Sequence, residues 1–131
     1  VYNTEWGTLQ GYPASFDTEK QLNDHNFHYG YFVQAAATVG MFDKAWVAQD
    51  QWGGMVDLLV ADVANTSRDS DAFPWLRSLD PYAGHSWASG HGDFAAGNNN
   101  ESSSEALNFA AAVALWGAVT GRDAVRDLGI Q

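Results

Sequence analysis

Two short stretches hold the side chains best suited to chemistry. Asn23-Asp24-His25-Asn26-Phe27-His28-Tyr29-Gly30-Tyr31 precedes one apolar run, and Asn98-Asn99-Asn100-Glu101-Ser102-Ser103-Ser104-Glu105-Ala106 precedes another. Each puts carboxylates at the mouth of an expected helix. If both helices start at the same end of the domain, Asp24, Glu101 and Glu105 converge on one rim. A helix N-terminus favours an anionic carboxylate, which suits Glu101 to be a base. Phe27, Tyr29 and Tyr31 around Asp24 suggest an apolar surround, which suits a proton donor. Two carboxyl groups with opposed protonation are what glycosidic bond cleavage requires.

Structural roles compete for the same residues. Ser102 to Glu105 matches a capping box, in which the Glu reaches back to the Ser amide. Asn98 could serve Glu101's helix as a cap, and Asp24 is itself a plausible N-cap for the helix near Phe27. Spacing leaves these alternatives open. His25, His28, His85, His91 and Asp93 could be read as zinc ligands. The HxxH spacing is weak evidence, however, and no HExxH helix is present, so neither metal nor cofactor is expected. His25 fits equally well as a residue satisfying a buried backbone carbonyl. Trp75, Tyr82, Trp87 and Phe94 are candidate platforms for sugar rings, Trp87 foremost, although loop aromatics also plug cores. The glycines at 84, 90, 92 and 97 lack the strand-loop-helix context of a phosphate-binding fingerprint.

The elements that must position these residues follow from the apolar pattern. Residues 1–23 read as an irregular lead-in with one short helical turn. Phe27 to about Gly40 reads as a helix buried over most of its circumference and stopped by glycine. Asp50 to Ala64 reads as a one-sided amphipathic helix, with Trp52, Val56, Leu59 and Val63 on the apolar stripe and Asp57 and Asp62 on other faces. Residues 65–100, rich in Ser, Asp, Gly, Asn and Pro, form a long loop of the kind that carries function. Ser102 to Thr120 reads as a second buried helix ending before Gly121, and Arg122 to Leu128 as the start of an outward-facing one. No strand shows convincing alternation. The order predicts an all-α, double-layered array of inner and outer helices, with a small four-helix bundle as the alternative.

The 131 residues are 46% hydrophobic and 14% aromatic, enough for one compact domain. Without cysteine, the chain offers no disulfide, thiolate nucleophile or sulfur-ligated metal. Sixteen acidic against six basic residues give a formal net charge of −10, which disfavours nucleic acid and anionic membrane surfaces as partners. No apolar run reaches the roughly 20 residues of a membrane-spanning helix. Val1 to Glu5 show neither a leader nor an initiator Met, and Leu128 to Gln131 form no polar tail. The expectation is therefore that 1–131 is one segment excised from a longer multidomain chain.

Asp24-His25-Asn26-Phe27-His28-Tyr29-Gly30-Tyr31, His85-Ser86-Trp87-Ala88-Ser89-Gly90 and Asn98 to Asn108 together resemble the central motifs of glycoside hydrolase family 81. The resemblance runs from about Asn23 to Gly117. It implies an endo-β-1,3-glucanase acting by inversion on laminarin-like or fungal-wall glucan, outside the cell. It also implies that Asp24 is the general acid, Glu101 the general base and Glu105 an assisting carboxylate. His28 and Tyr29 match motif positions near the acid, and Trp87, His91 and Asp93 are candidates for sugar contacts. Asn100 departs from the Gln that often precedes the first Glu. The family's fold implies that the chain is part of an (α/α)6 double-layered helical barrel, with the remainder of the parent catalytic domain as a partner. The competing functions are a non-catalytic glucan-binding segment and, further off, a metal-dependent hydrolase.

Overall fold

The computed structural model describes residues 1–95 and 97–131. In chain order they form β1 (Tyr2–Asn3), β2 (Thr8–Leu9), α1 (Thr18–Gln21), α2 (His25–Phe42), α3 (Gly53–Ala64), β3 (Leu79–Asp80), β4 (His85–Ser86), α4 (Ser103–Thr120) and α5 (Asp123–Ile130). The fold is mostly helical. β1 pairs with β2 and β3 with β4, both antiparallel, and at two residues each these strands are too short to show alternation in sequence. The short turn α1 lies within the expected lead-in.

α2 and α4 run side by side in the same direction. Near their starts Gly30 meets Phe109, and near their ends Gly40 meets Val119. A Cβ on Gly40 would sit 2.5 Å from Val119 Cγ1 and 2.6 Å from Val47 Cγ1. Gly40 therefore serves close packing rather than stopping the helix. α2 runs on to Phe42, and the carboxylate of Asp43 then accepts the N–H groups of Ala45 and Trp46 to turn the chain. α4 ends as predicted, with Gly121 at φ 70°, where a side chain would be strained.

α3 and α5 flank this central pair. Val33, Ala37, Val60, Val63, Val113 and Trp116 lie at the centre of the core, drawn from α2, α3 and α4. α5 has no buried residue, as its charge pattern predicts. It lies so close to α4 that a Cβ on Gly117 would meet the Arg126 backbone at 2.1 Å, and one on Gly129 the Ala114 backbone at 2.3 Å.

Three expectations are corrected. α3 starts at Gly53, not Asp50, because turns fill the residues before it. Neither acid of α3 is a free surface group. Asp62 is fully buried, and Asp57 is clamped by both terminal nitrogens of Arg122 while accepting the Trp116 indole N–H at 2.8 Å. Finally, α2 is not covered all round, since Phe32, Val39, Met41 and Phe42 are exposed, as is Leu107 on α4.

Candidate active site

Asp24 stands immediately before α2 with φ 63° and ψ 13°. This left-handed conformation is one that Asp tolerates better than most residues, at a strain of about 1–3 kcal/mol that neighbouring structure must hold. The neighbours do hold it. The Asp24 N–H donates to the Ala88 carbonyl at 2.6 Å, and its carbonyl accepts the His28 N–H at 2.8 Å. The side chain does not cap the helix, because capping needs an extended backbone at that position. Its Oδ2 instead accepts the Asn23 amide at 2.9 Å.

The three aromatics expected around Asp24 have surroundings of their own. Phe27 enters the core and Tyr29 points toward the Leu9 carbonyl at 3.4 Å. Tyr31 is exposed and donates its hydroxyl to Glu105 Oε1 at 2.9 Å.

Glu101 lies two residues before α4 and is exposed. Ser102 occupies the N-cap position but makes no side-chain cap bond, so the expected capping box is not formed. Glu105, in the first turn, holds Tyr31 instead. The hydrogen bond to Glu105, and next its charge, push the Tyr31 hydroxyl above the usual phenol range.

Because α2 and α4 are parallel, their starts share one end of the domain, and Asp24 and Glu101 line the same cavity of about 310 Å³. Its other walls include Gln21, Asn23, Ser89, Phe94, Asn98 and Asn99. The loop that closes it is stitched by Asn98, whose amide donates to the carbonyls of Ser89 at 3.1 Å and His91 at 3.3 Å. The Ser89 hydroxyl ties the same loop to the Gln21 carbonyl at 2.8 Å, and the Ala88 N–H reaches the Asn99 carbonyl at 2.7 Å. Ala96, in the loop expected to carry function, lies outside the described residues.

The five expected sugar contacts are not brought into this cavity. His28 is exposed beside Phe16, with ring centroids 6.1 Å apart. Tyr29 is half-buried against His25, and burial first, then Asp62, pushes its hydroxyl upward. The Trp87 indole N–H reaches Asp80 at 3.2 Å and its ring meets His85 at 4.6 Å. His91 stacks on Phe94 at 4.7 Å, and Asp93 is exposed, its N–H donating to His91 Nδ1 at 3.1 Å. Phe94 is the one named aromatic that lines the cavity. Trp75 is half-covered by the Arg68 guanidinium, 3.6 Å from its ring centroid, and Tyr82 is fully exposed.

The histidines considered as metal ligands have other partners. His25 is buried on Asp62 at 2.7 Å, and His85 Nδ1 faces the Ser86 carbonyl at 2.7 Å. Among the described residues no three His, Asp or Glu side chains come together as a metal would require. A larger cavity of about 590 Å³, mostly apolar, lies between β3, β4, α4 and α5 and includes neither Asp24 nor Glu101.

Sequence reasoning missed the buried centre that holds His25, the residue after Asp24. Asp62 accepts the Thr8 hydroxyl at 2.9 Å, the Leu9 N–H at 3.1 Å and the His25 ring, with the Arg77 guanidinium 3.6 Å away. Arg77 also donates to the carbonyls of Asp62, Trp6 and Gly7, and desolvation lowers its pKa from the ordinary value. One signal was present: from Met55 to Ala64 only Asp57 and Asp62 are polar.

The fold and site together define a helical domain that presents two acidic side chains to one cavity at the common end of parallel helices. The chain belongs to glycosyl hydrolase family 81, since residues 1–130 match the model of that family's C-terminal domain. It is 57% identical over 129 residues to a glucan endo-1,3-beta-D-glucosidase of Acetivibrio thermocellus, a match covering 98% of this chain and 17% of that protein. It is 55% identical over 129 residues to a protein of the same description from Thermobifida fusca, again covering 98% of the chain and 17% of the relative. A solved structure of a mutant glycoside hydrolase family 81 protein from Clostridium thermocellum matches with a TM-score of 0.94 at 55% identity, over 99% of this chain and 18% of that one. The chain thus spans about a sixth of the length of these curated relatives.

Proposed function

We propose that this chain is part of the catalytic region of an endo-acting β-1,3-glucan hydrolase that works by inversion, with Asp24 as general acid and Glu101 as general base. The observation that carries this reading is that the two side chains line one cavity. In the proposed reaction Glu101 takes a proton from a water that attacks the anomeric carbon. The bond from that carbon to the leaving oxygen breaks as Asp24 protonates the oxygen. A cavity of about 310 Å³ admits the water that an inverting pair must activate. Glu105, held by Tyr31, assists from the first turn of α4.

The substrate assignment rests on the relatives, which are described as glucan endo-1,3-beta-D-glucosidases. His28, Trp87, His91 and Asp93 are assigned to sugar contacts around the cavity: Trp87 and Asp93 each precede a lining residue, His91 stacks on the lining Phe94, and the His28 N–H is bonded to the Asp24 carbonyl. Tyr29 packs on His25, the residue after Asp24. We place α2 and α4 in the inner layer and α3 and α5 in the outer layer of an (α/α)6 barrel. The parallel central pair and the uncovered apolar side chains of α2 and α3 favour that arrangement. The remainder of the parent catalytic domain would cover them. A polymeric glucan would be met outside the cell, which is where we place the protein.

The test is release of reducing ends from laminarin by the parent protein, with xylan and cellulose as controls. Asp24→Asn and Glu101→Gln should each lower turnover by roughly 10²- to 10⁴-fold while glucan binding survives. Full turnover in either variant counts against the assignment. Glucan binding without hydrolysis by the unaltered parent would favour a binding module instead.

A further inference from the structure

We propose that His25 and Asp62 form a buried positioning pair that fixes the direction of Asp24, an inference that rests on reading Asp24 as the general acid. Neither residue lines the cavity, and both are almost wholly buried, at 3% and 0% exposure. Their contribution to the reaction must therefore pass through another residue.

The chain geometry supplies the route. Among the described residues the Asp24 carboxylate has one hydrogen-bond partner, the neighbouring Asn23 amide, so its aim depends on its backbone. That backbone is left-handed at a non-glycine residue and needs neighbouring structure to hold it. The next residue, His25, is the first of α2, and its ring is bonded at 2.7 Å to Asp62 on α3. Asp62 cannot shift to follow a moving ring, because the Thr8 hydroxyl and the Leu9 N–H hold its other oxygen at 2.9 and 3.1 Å. Arg77 holds the Asp62 main-chain carbonyl at 3.1 Å. The Ala88 carbonyl pins Asp24 from the cavity side, and the His25 bond pins the first turn of α2 from the core side. With one of these removed, the acid can swing while the fold survives.

The experiment compares four variants of the full-length parent on two substrates. The first is laminarin, whose sugar leaving group needs a proton. The second is an aryl β-1,3-oligoglucoside with a strongly acidic phenol, whose aryloxide departs with little help from an acid. A displaced general acid slows the first substrate and spares the second, whereas general damage slows both. His25→Leu and Asp62→Asn are expected to lower kcat on laminarin by about 10- to 100-fold, the loss expected for a misplaced catalytic group. KM should stay within about twofold, and the aryl substrate should lose less than about threefold. His25→Asn puts an amide N–H near the place of Nδ1 and should recover most of kcat on laminarin. Thr8→Val leaves the Leu9 N–H on that oxygen and the His25 bond intact, so it should lower melting temperature with a much smaller loss of kcat on laminarin than either of those variants.

Equal losses on both substrates, an unchanged kcat in a folded His25→Leu or Asp62→Asn protein, or a kcat loss in Thr8→Val matching theirs would each overturn the pair's role. If His25→Leu does not fold, Asp62→Asn against Thr8→Val decides the matter alone. Asp24→Asn run alongside separates the two hypotheses. If it keeps turnover on laminarin, the acid assignment has failed first; if it is inactive on laminarin but active on the aryl substrate, the assignment stands and the variants judge the positioning pair.

Discussion

Replacing Asp62 by alanine should remove on the order of 3–5 kcal/mol of folding stability, the usual loss when one partner of a buried charged cluster is deleted. The carboxylate accepts from Thr8, Leu9 and His25, and Arg77 stands 3.6 Å away. Truncation leaves three donors buried without that partner, at about 1–3 kcal/mol each if none finds another. Thr8 retains the Leu9 carbonyl at 3.2 Å, and Arg77 keeps the Asp62, Trp6 and Gly7 carbonyls, so the full sum is not reached. Were Asp62 on a solvated face, the change would stay within about 0.5 kcal/mol. Urea unfolding of the 131-residue chain at low concentration, followed by the fluorescence of its six tryptophans, separates these outcomes. Domains of this size have about 5–15 kcal/mol to lose, so the midpoint should fall sharply at a constant m-value. A shift equivalent to less than about 1 kcal/mol would refute the reasoning, because it would mean the donors are satisfied elsewhere or the site is wet.

Gly129→Ala should weaken the α4–α5 contact by about 1–3 kcal/mol or more, because its Cβ would meet the Ala114 and Ala110 backbones at 2.3 and 2.5 Å; an unchanged melting temperature would contradict it. The Asp80 carboxyl is held below the usual carboxylate range, first by the Ala83 N–H and also by the Tyr82 N–H and the Trp87 indole. Its stabilising effect is therefore present above the unfolded-state value and lost as pH falls through the folded-state value. The stability difference between the protein and Asp80→Asn should accordingly vanish on acidification from about pH 6 to about pH 2, and a constant difference would count against this. At concentrations well above those of the urea experiment the isolated segment should self-associate, since Phe32, Phe42, Trp52 and Met55 are exposed at 65%, 87%, 55% and 59%; a clean monomer in sedimentation velocity at those concentrations would oppose that.

Much of the helical layout was legible in the sequence. The long apolar runs with few polar interruptions specified α2 and α4, and Gly121 marked where α4 stops, because helix periodicity and left-handed caps are local properties. The two acidic motifs were legible for the same reason, being short and contiguous. Their local capping roles were not: Asp24 adopts a left-handed backbone and Glu105 turns to Tyr31, 74 residues away. Asp62 sits in a pattern that suits a solvated face, yet its partner Thr8 is 54 residues away, and only chain reversal brings the two together. Composition and periodicity determined which segments become helices and which residues could do chemistry. The tertiary structure decided that α2 and α4 lie parallel, that Asp24 and Glu101 therefore share one cavity, and that an acid on α3 is buried against the first residue of α2. Helical periodicity repeats within a few residues, whereas the direction in which helices pack and the partners of a buried charge are set by contacts between distant parts of the chain.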